Sequence, residues 1–262
     1  MKRILLTLVP LGALALAAPA LGADLPMYSK APVAPTYDWS GFYVGVFGGY
    51  GYGNHNINNA TGTVGLADYT ANYSSQGAVA GGEFGYDTYV YKDILVGVKA
   101  EGFWSGIAGN DSSQYFALAF PGVAAVDADK LRYGGSLMAK GAYAIDRWEL
   151  FFEAGWAFGS IVHTNTADVA GIVAFPPGPV LAAVDKFNVQ ANGLAAGGGF
   201  AYAVTNNVIA KFEYRYYSFN TYSSRGTPFT VNGQLPYTVE STYSTVTVGL
   251  DYKFGGPVVA KY

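Results

Sequence analysis

From Trp148 onward every second residue falls on an apolar strip: Trp148, Leu150, Phe152, Ala154, Trp156 and Phe158 alternate with Glu149, Phe151, Glu153, Gly155 and Ala157. A period of two places the two sets on opposite faces of a β-strand. One face is apolar with a tryptophan near each end. The other carries two carboxylates. Residues 148–158 at about 3.3 Å each extend roughly 36 Å, which crosses a hydrocarbon layer when tilted by about 45°.

The same alternation predicts seven further strands. Strand 1, about 41–52, aligns Phe42, Val44, Val46, Gly48, Tyr50 and Tyr52. Strand 2, about 77–86, sets Ala78, Ala80, Gly82, Phe84 and Tyr86 against Val79 and Glu83. Strand 3, about 94–104, sets Ile94, Val96, Val98, Ala100 and Trp104 against Lys99 and Glu101. Strand 4, about 131–143, sets Leu131, Tyr133, Leu137 and Tyr143 against Arg132, Ser136 and Lys140. The Trp148 stretch is strand 5. Strand 6, about 193–202, turns Leu194, Phe200 and Tyr202 outward and small residues inward. Strand 7, about 208–216, sets Val208, Ala210, Phe212, Tyr214 and Tyr216 against Lys211, Glu213 and Arg215. Strand 8, about 244–254, sets Val246, Val248, Leu250, Tyr252 and Phe254 against Thr245, Thr247, Asp251 and Lys253.

The gaps after strands 1, 3, 5 and 7 are about 24, 26, 34 and 27 residues, and those after strands 2, 4 and 6 about 7, 4 and 5. Short turns on one side and long loops on the other are the asymmetry of an outer-membrane barrel, with both termini periplasmic. Aromatics gather in two rings at the strand ends. Phe42, Tyr86, Tyr143, Trp148, Tyr202, Tyr252 and Phe254 lie next to short turns; Tyr50, Tyr52, Trp104, Tyr133, Trp156, Phe158, Tyr214 and Tyr216 lie next to long loops. Amphipathic rings prefer the two membrane interfaces. The expected fold is therefore all-β: an eight-stranded antiparallel up-and-down transmembrane barrel with short periplasmic turns and four long extracellular loops.

Residues 1–22 read as a secretory signal. Lys2 and Arg3 precede an apolar run from Ile4 to Ala18, and Ala20-Leu21-Gly22 offers a small-x-small cleavage site, with cleavage after Ala20 or Ala23 as alternatives. Residues 23–38, with Pro26, Pro32 and Pro35, read as an extended periplasmic tail, and residues 39–262 as the barrel domain. Only 13% of the residues are charged, against about 25% in a soluble domain, while 16% are aromatic. That balance suits lipid contact. The formal net charge of −3 carries no electrostatic footprint for nucleic acid, and the lack of cysteine removes disulfides, thiolate metal sites and cysteine nucleophiles.

The inward faces collect Glu83, Glu101, Glu149, Glu153, Glu213 and Asp251 as acids and Lys99, Arg132, Lys140, Lys211, Arg215 and Lys253 as bases. Six against six suggests a paired network filling the interior of a barrel whose side chains just fit. An acid/base pair such as Glu149 and Glu153, four residues apart on one face, is the alternative. The two histidines, His55 and His163, fall in the expected long loops as solvated residues; a metal, haem or serine–histidine site there is the sharper reading. A lipid-modifying barrel enzyme would place a histidine on an outer face, and no strand does so. Gly197-Gly198-Gly199 opens no helix, so it relieves crowding where the barrel bends and holds no phosphate.

Several stretches carry a family resemblance: Asp38-Trp39-Ser40-Gly41-Phe42-Tyr43-Val44-Gly45 with Gly48-Gly49-Tyr50-Gly51, Thr205-Asn206-Asn207 with Lys211 and Glu213-Tyr214, and Val248-Gly249-Leu250 with Tyr252-Lys253-Phe254. The chain resembles the small outer-membrane immunogenic, or porin-family, proteins of Gram-negative bacteria, with an OmpA-like eight-stranded barrel. The resemblance implies an integral outer-membrane protein in contact with lipid, inserted by the barrel-assembly machinery, with no enzymatic site and no cofactor. It leaves open a small porin, or loops that bind a ligand such as haem or a host surface. Many such barrels end on a phenylalanine that the assembly machinery reads; here residues 255–262 follow Phe254, and Tyr262 is last.

Overall fold

A computed structural model describes residues 37–59, 69–114, 124–168, 183–226 and 235–255. The expected signal, the expected tail up to residue 36, the tips of the four long connections and the residues after Gly255 lie outside the described residues. Ten strands are present: β1 (Gly41–Asn59), β2 (Tyr69–Tyr91), β3 (Ile94–Ser105), β4 (Ala108–Gln114), β5 (Ala124–Ile145), β6 (Trp148–Asp168), β7 (Ala183–Ala203), β8 (Val208–Phe219), β9 (Tyr222–Gly226) and β10 (Leu235–Lys253). Antiparallel pairing runs β1-β10-β8-β7-β6-β5-β3-β2, and β2 pairs back onto β1, so the sheet closes on itself. β4 prolongs β3 after Gly106-Ile107, and β9 prolongs β8 after Asn220-Thr221. The hydrogen bonds Gly106 N to Ala78 O (2.8 Å), Leu131 N to Ile107 O (3.0 Å) and Asn220 N to Asn192 O (2.8 Å) carry the ladder across the two breaks. Eight strand paths result, as the alternation predicts.

The two tight turns are Lys92-Asp93 and Asp146-Arg147. Lys92 and Asp146 have φ of 36° and 53°, the left-handed region that two-residue hairpin turns use to match strand twist. At the other end the strands overrun their expected limits. β1 continues to Asn59 rather than about residue 52, β6 to Asp168 rather than about 158, and β2, β5, β7 and β10 begin some seven to ten residues early. The four long loops are thus largely strand, and form a collar above the outer aromatic ring. Exposed collar positions such as Asn54, Asn56, Asn72, Ser74 and Gln76 are polar. The apolar half of the period-two signal is missing there, and the backbone ladder carries the strands on.

Outward residues are exposed where the alternation puts them. Trp104 is 76% exposed, Phe152 67% and Phe42 64% in a chain with no soluble face to bury them. Every ring residue from Phe42 to Phe254 named above is on the outside. Phe42 packs at a tilt against Tyr86 (4.6 Å between ring centres) and Trp148 against Tyr202 (4.8 Å). From Phe42 to Tyr52 the strand climbs about 34 Å, or roughly 26 Å along the membrane normal at a 40° tilt, which matches an apolar band of about 25 Å.

One strand departs from the pattern. In β5, Leu131 pairs with Ile161 and Tyr133 with Ser160, so a β-bulge inserts one extra residue. Leu131 is consequently buried inside, and Arg132 is exposed on the outer face. The assignment of Arg132 to the lumen and of Leu131 to lipid is corrected accordingly; from Tyr133 onward the expected faces hold.

The interior packs in layers. An upper apolar cluster joins Val79, Phe103, Ile107, Leu131, Ile161, Tyr217, Phe219 and Tyr243. A lower one joins Trp39, Leu95, Phe151, Ile209 and the small residues Ala142, Ala144, Ala201 and Ala203. Trp39 lies just ahead of β1 and is 3% exposed. Its indole nitrogen donates to Asp146 O at 3.0 Å, and Tyr37 packs edge-on against it at 4.9 Å. The segment before β1 therefore folds into the lower mouth of the barrel. Ala201, one of the small inward residues of β7, is buried in the same cluster as the indole.

Candidate functional site

Between the two apolar clusters lies a layer of charge. Lys99 on β3 is 1% exposed, and its ammonium lies 2.5 Å from Glu153 on β6, 3.0 Å from Glu213 on β8 and 3.7 Å from Glu83 on β2. Arg215 on β8 reaches Glu101, Glu213 and, at 3.2 Å, Glu153. Lys211 pairs with Glu83 and lies 3.6 Å from Glu213 and 3.8 Å from Asp251. Glu101 accepts from Ser136 Oγ at 2.9 Å and Tyr217 Oη at 2.8 Å. The Lys99–Glu153, Lys99–Glu213, Arg215–Glu101, Arg215–Glu153 and Lys211–Glu83 contacts cross the lumen, because they join strands that are not neighbours in the ring. β7 makes room: Gly197 and Gly199 pair with Arg215 and Glu213, and a Cβ at Gly199 would meet the Glu213 backbone at 2.9 Å.

Below this layer Lys140 bridges Glu149 (2.5 Å) and Asp87 (2.7 Å), with its ammonium over the rings of Phe151 and Tyr43 at 5.1 and 5.5 Å. Lys253 donates to the carbonyl of Asp38 and covers the Tyr37 ring, so it ties the lower plug to β10. Asp87 was not among the expected lumen acids. It lies one residue beyond the expected end of strand 2, and the longer β2 turns it inward. With Asp87 and Asp129 in and Arg132 out, the described interior holds eight acids (Glu83, Asp87, Glu101, Asp129, Glu149, Glu153, Glu213, Asp251) and five Lys or Arg bases (Lys99, Lys140, Lys211, Arg215, Lys253) rather than six of each. The space among the lower groups is a cavity of about 20 Å³. That holds about one water molecule.

The two histidines require a second correction. Both lie in collar strands and are buried, His55 at 2% and His163 at 0% exposure, rather than solvated in loops. They flank one carboxylate. Asp129 Oδ1 is 2.8 Å from His163 Nδ1, and Oδ2 is 3.3 Å from His55 Nδ1 and 2.5 Å from Tyr73 Oη. His55 Nδ1 also lies 3.0 Å from Ser241 Oγ, and Nε2 lies 2.9 Å from Ser75 Oγ. Burial lowers the His55 pKa, against the opposing pull of Asp129. Ser75, His55 and Asp129 stand in the order of a nucleophile, base and orienting acid. However, Ser75 is 2% exposed inside the barrel, with His55 packed between Tyr73 and Tyr243, so no acyl substrate reaches Oγ in this arrangement. Among the described residues no group of three His, Cys, Asp or Glu side chains is arranged to hold a metal ion. The period-two pattern could not find this cluster, because the outer face of the collar is polar and leaves no apolar strip to mark the strands.

A closed antiparallel barrel with an apolar outer band, two aromatic rings and a charged interior defines a membrane-spanning β-barrel protein. Residues 6–254 match the outer membrane protein beta-barrel domain family, and the chain belongs to that family. It is 29% identical over 249 residues to the 25 kDa outer-membrane immunogenic protein of Brucella canis, covering 94% of each chain. It is 26% identical to the 31 kDa outer-membrane immunogenic protein of Brucella melitensis, covering 90% of this chain and 93% of that one. The crystal structure of OprG from Pseudomonas aeruginosa is similar at a TM-score of 0.46 and 14% identity, covering 83% of this chain and 97% of that one. The protein is an outer-membrane β-barrel protein, and a structural, surface-exposed role fits its relatives.

Proposed function

We propose that the barrel is closed: it spans the outer membrane as a structural, surface-presenting protein that passes no solute and catalyses no reaction. The observation that carries this reading is the network of Lys99, Lys211 and Arg215 with Glu83, Glu101, Glu153 and Glu213, which links β2, β3, β6 and β8 across the lumen. Trp39 and Tyr37 add a second closure at the lower mouth. The buried position of Ser75 and His55 argues against hydrolysis. Its partners on this reading are the surrounding lipid and, during insertion, the barrel-assembly machinery. The small-porin reading needs a continuous aqueous path, and a one-water cavity among ion pairs does not favour it. Planar-bilayer recording tests the proposal. The parent should be silent, and Glu213→Ala/Arg215→Ala, which removes two crossing side chains together, should conduct. A parent that already conducts steadily, with no change in the double variant, would install the porin reading instead.

A further inference from the structure

The bulge in β5 puts a cation where the lumen cannot use it. Arg132 is the inserted residue, exposed at the level of the outer aromatic ring beside Tyr133. Bulges are often the device that re-aims one side chain. Two more cations share that wall. Lys130 on β5 pairs across with Val162 on β6, which pairs with Asn188 on β7; Lys186 on β7 pairs with Thr164 on β6. Lys130, Lys186, Asn188 and Gln190 are all exposed. Lys130 and Lys186 thus stand two strand spacings apart and two residues offset along the strands, about 12 Å, with Arg132 directly below Lys130 on the membrane side. Gln190 Nε2 donates to Tyr133 Oη at 3.3 Å and ties the aromatic ring to the amide row. The opposite wall is different. Asn54, Asn56, Asn72 and Ser74 on β1 and β2 are uncharged, and the exposed Glu240 on β10 is acidic.

We propose that the β5–β6–β7 wall of the collar docks the phosphorylated saccharide headgroup of a glycolipid in the outer leaflet. The height fits, since the cations begin at the outer ring of aromatics, where headgroups start. The charge fits, since three cations face a phosphate-bearing surface and Glu240, the exposed collar acid among the residues whose side chains are described, lies on the far side. The remaining groups fit a sugar: Asn188 and Gln190 each offer donors and an acceptor, and Tyr133 offers a ring and a hydroxyl. A bare phospholipid headgroup would use the charge but leave the amide row unused.

The test is binding of purified outer-leaflet glycolipid to the detergent-solubilised, folded protein, with folding checked by heat-modifiable gel mobility. Each basic residue near a charged lipid surface contributes roughly fivefold in affinity, so Lys130→Ala/Arg132→Ala/Lys186→Ala should bind about a hundredfold more weakly. Arg132→Ala alone should lose about fivefold, which keeps the test open if the triple variant does not fold. Lys130→Arg/Lys186→Arg should bind like the parent, and raised salt should weaken binding. The enzymatically dephosphorylated glycolipid should bind poorly. Equal binding by the parent and a folded variant would overturn the proposal. So would equal affinity for phosphatidylglycerol vesicles, or displacement by millimolar inorganic phosphate, since the wall would then read charge alone.

Discussion

Lys99→Met isolates what the lumen network contributes. The substitution keeps length and apolar stem while removing the charge that three carboxylates approach, Glu153 at 2.5 Å, Glu213 at 3.0 Å and Glu83 at 3.7 Å. Each acid keeps another partner: Arg215 for Glu153 and Glu213, Lys211 for Glu83. The residual imbalance is still buried, because Lys99 and Glu153 are 1% and 4% exposed. Breaking a buried pair on one side costs about 3–5 kcal/mol, and we expect the variant to fall in that range. Lys99→Met/Glu153→Gln should recover part of the loss, because it removes one of the stranded charges with its partner. The assay is urea unfolding in lipid vesicles at pH 8, read by tryptophan fluorescence and by gel mobility. Exposed Lys130→Met serves as a control, within about 0.5 kcal/mol of the parent. A loss below about 1 kcal/mol for Lys99→Met would refute a tightly coupled, dry network and imply that water screens it.

Three further outcomes follow from other parts of the structure. Leu150→Arg, on the lipid face of β6, should destabilise by about 2–4 kcal/mol near the midplane, and vesicle unfolding would read it; tolerance equal to that of a collar position would show that this face does not meet lipid. The collar should loosen in acid. The His55 pKa is lowered by burial, so the open state binds the proton more readily; collar stability is complete above about pH 6.5 and falls as the pH drops toward the folded-state value. Protection factors for amide exchange at residues 54–56 and 73–75, corrected for the intrinsic pH dependence of exchange, should therefore fall between pH 7.5 and 5, and His55→Gln should flatten that slope; Asp129, His163, Tyr73 and Tyr243 face the same ring. Trp39→Gly should leave the barrel folded and raise access of a small thiol reagent to a cysteine introduced at Ala201, since the indole covers that position.

Much of the barrel is legible from alternation alone, and the failures are physically specific. Alternation works where one face meets lipid and the other meets charge, as from Trp148 to Phe158. It fails in the collar, where Asn, Ser and Gln take the outer face in place of apolar residues, so alternation ends β1 and β6 seven to ten residues too soon. That hid His55 and His163, whose burial depends on pairing with strands far away in sequence. It fails at Arg132 for a different reason. An inserted residue leaves no local mark, and shifting the phase by one moves Arg132 outward and Leu131 inward. Asp87 was missed because a boundary fell one residue short. Trp39 was read only as the start of the domain, since a single indole ahead of a strand carries no period.

The interior charges also bear on how the fold is chosen among alternatives. A one-residue slip between neighbouring strands exchanges the two faces entirely. For an all-apolar interior facing lipid outside, such a slip would cost little, because both solvents are oily. Here a slip of β3 would send Lys99 and Glu101 into the bilayer while drawing Val98 and Ala100 into a layer of carboxylates. Basic residues at the midplane alone cost about 2–4 kcal/mol each, and the stranded partners inside would add to that. A buried network is weak evidence for stability compared with a well-packed apolar core, yet it penalises every wrong register of the strands that carry it. β7 shows the complement. Its inward residues beside the network are Gly197 and Gly199, so nothing on it pairs with charge, and its register depends on the close backbone approach to Arg215 and Glu213 that only glycine permits. Strands that bear charge and strands that lack side chains thus fix register in two ways, and the same side chains that fill the lumen hold the eight paths in phase.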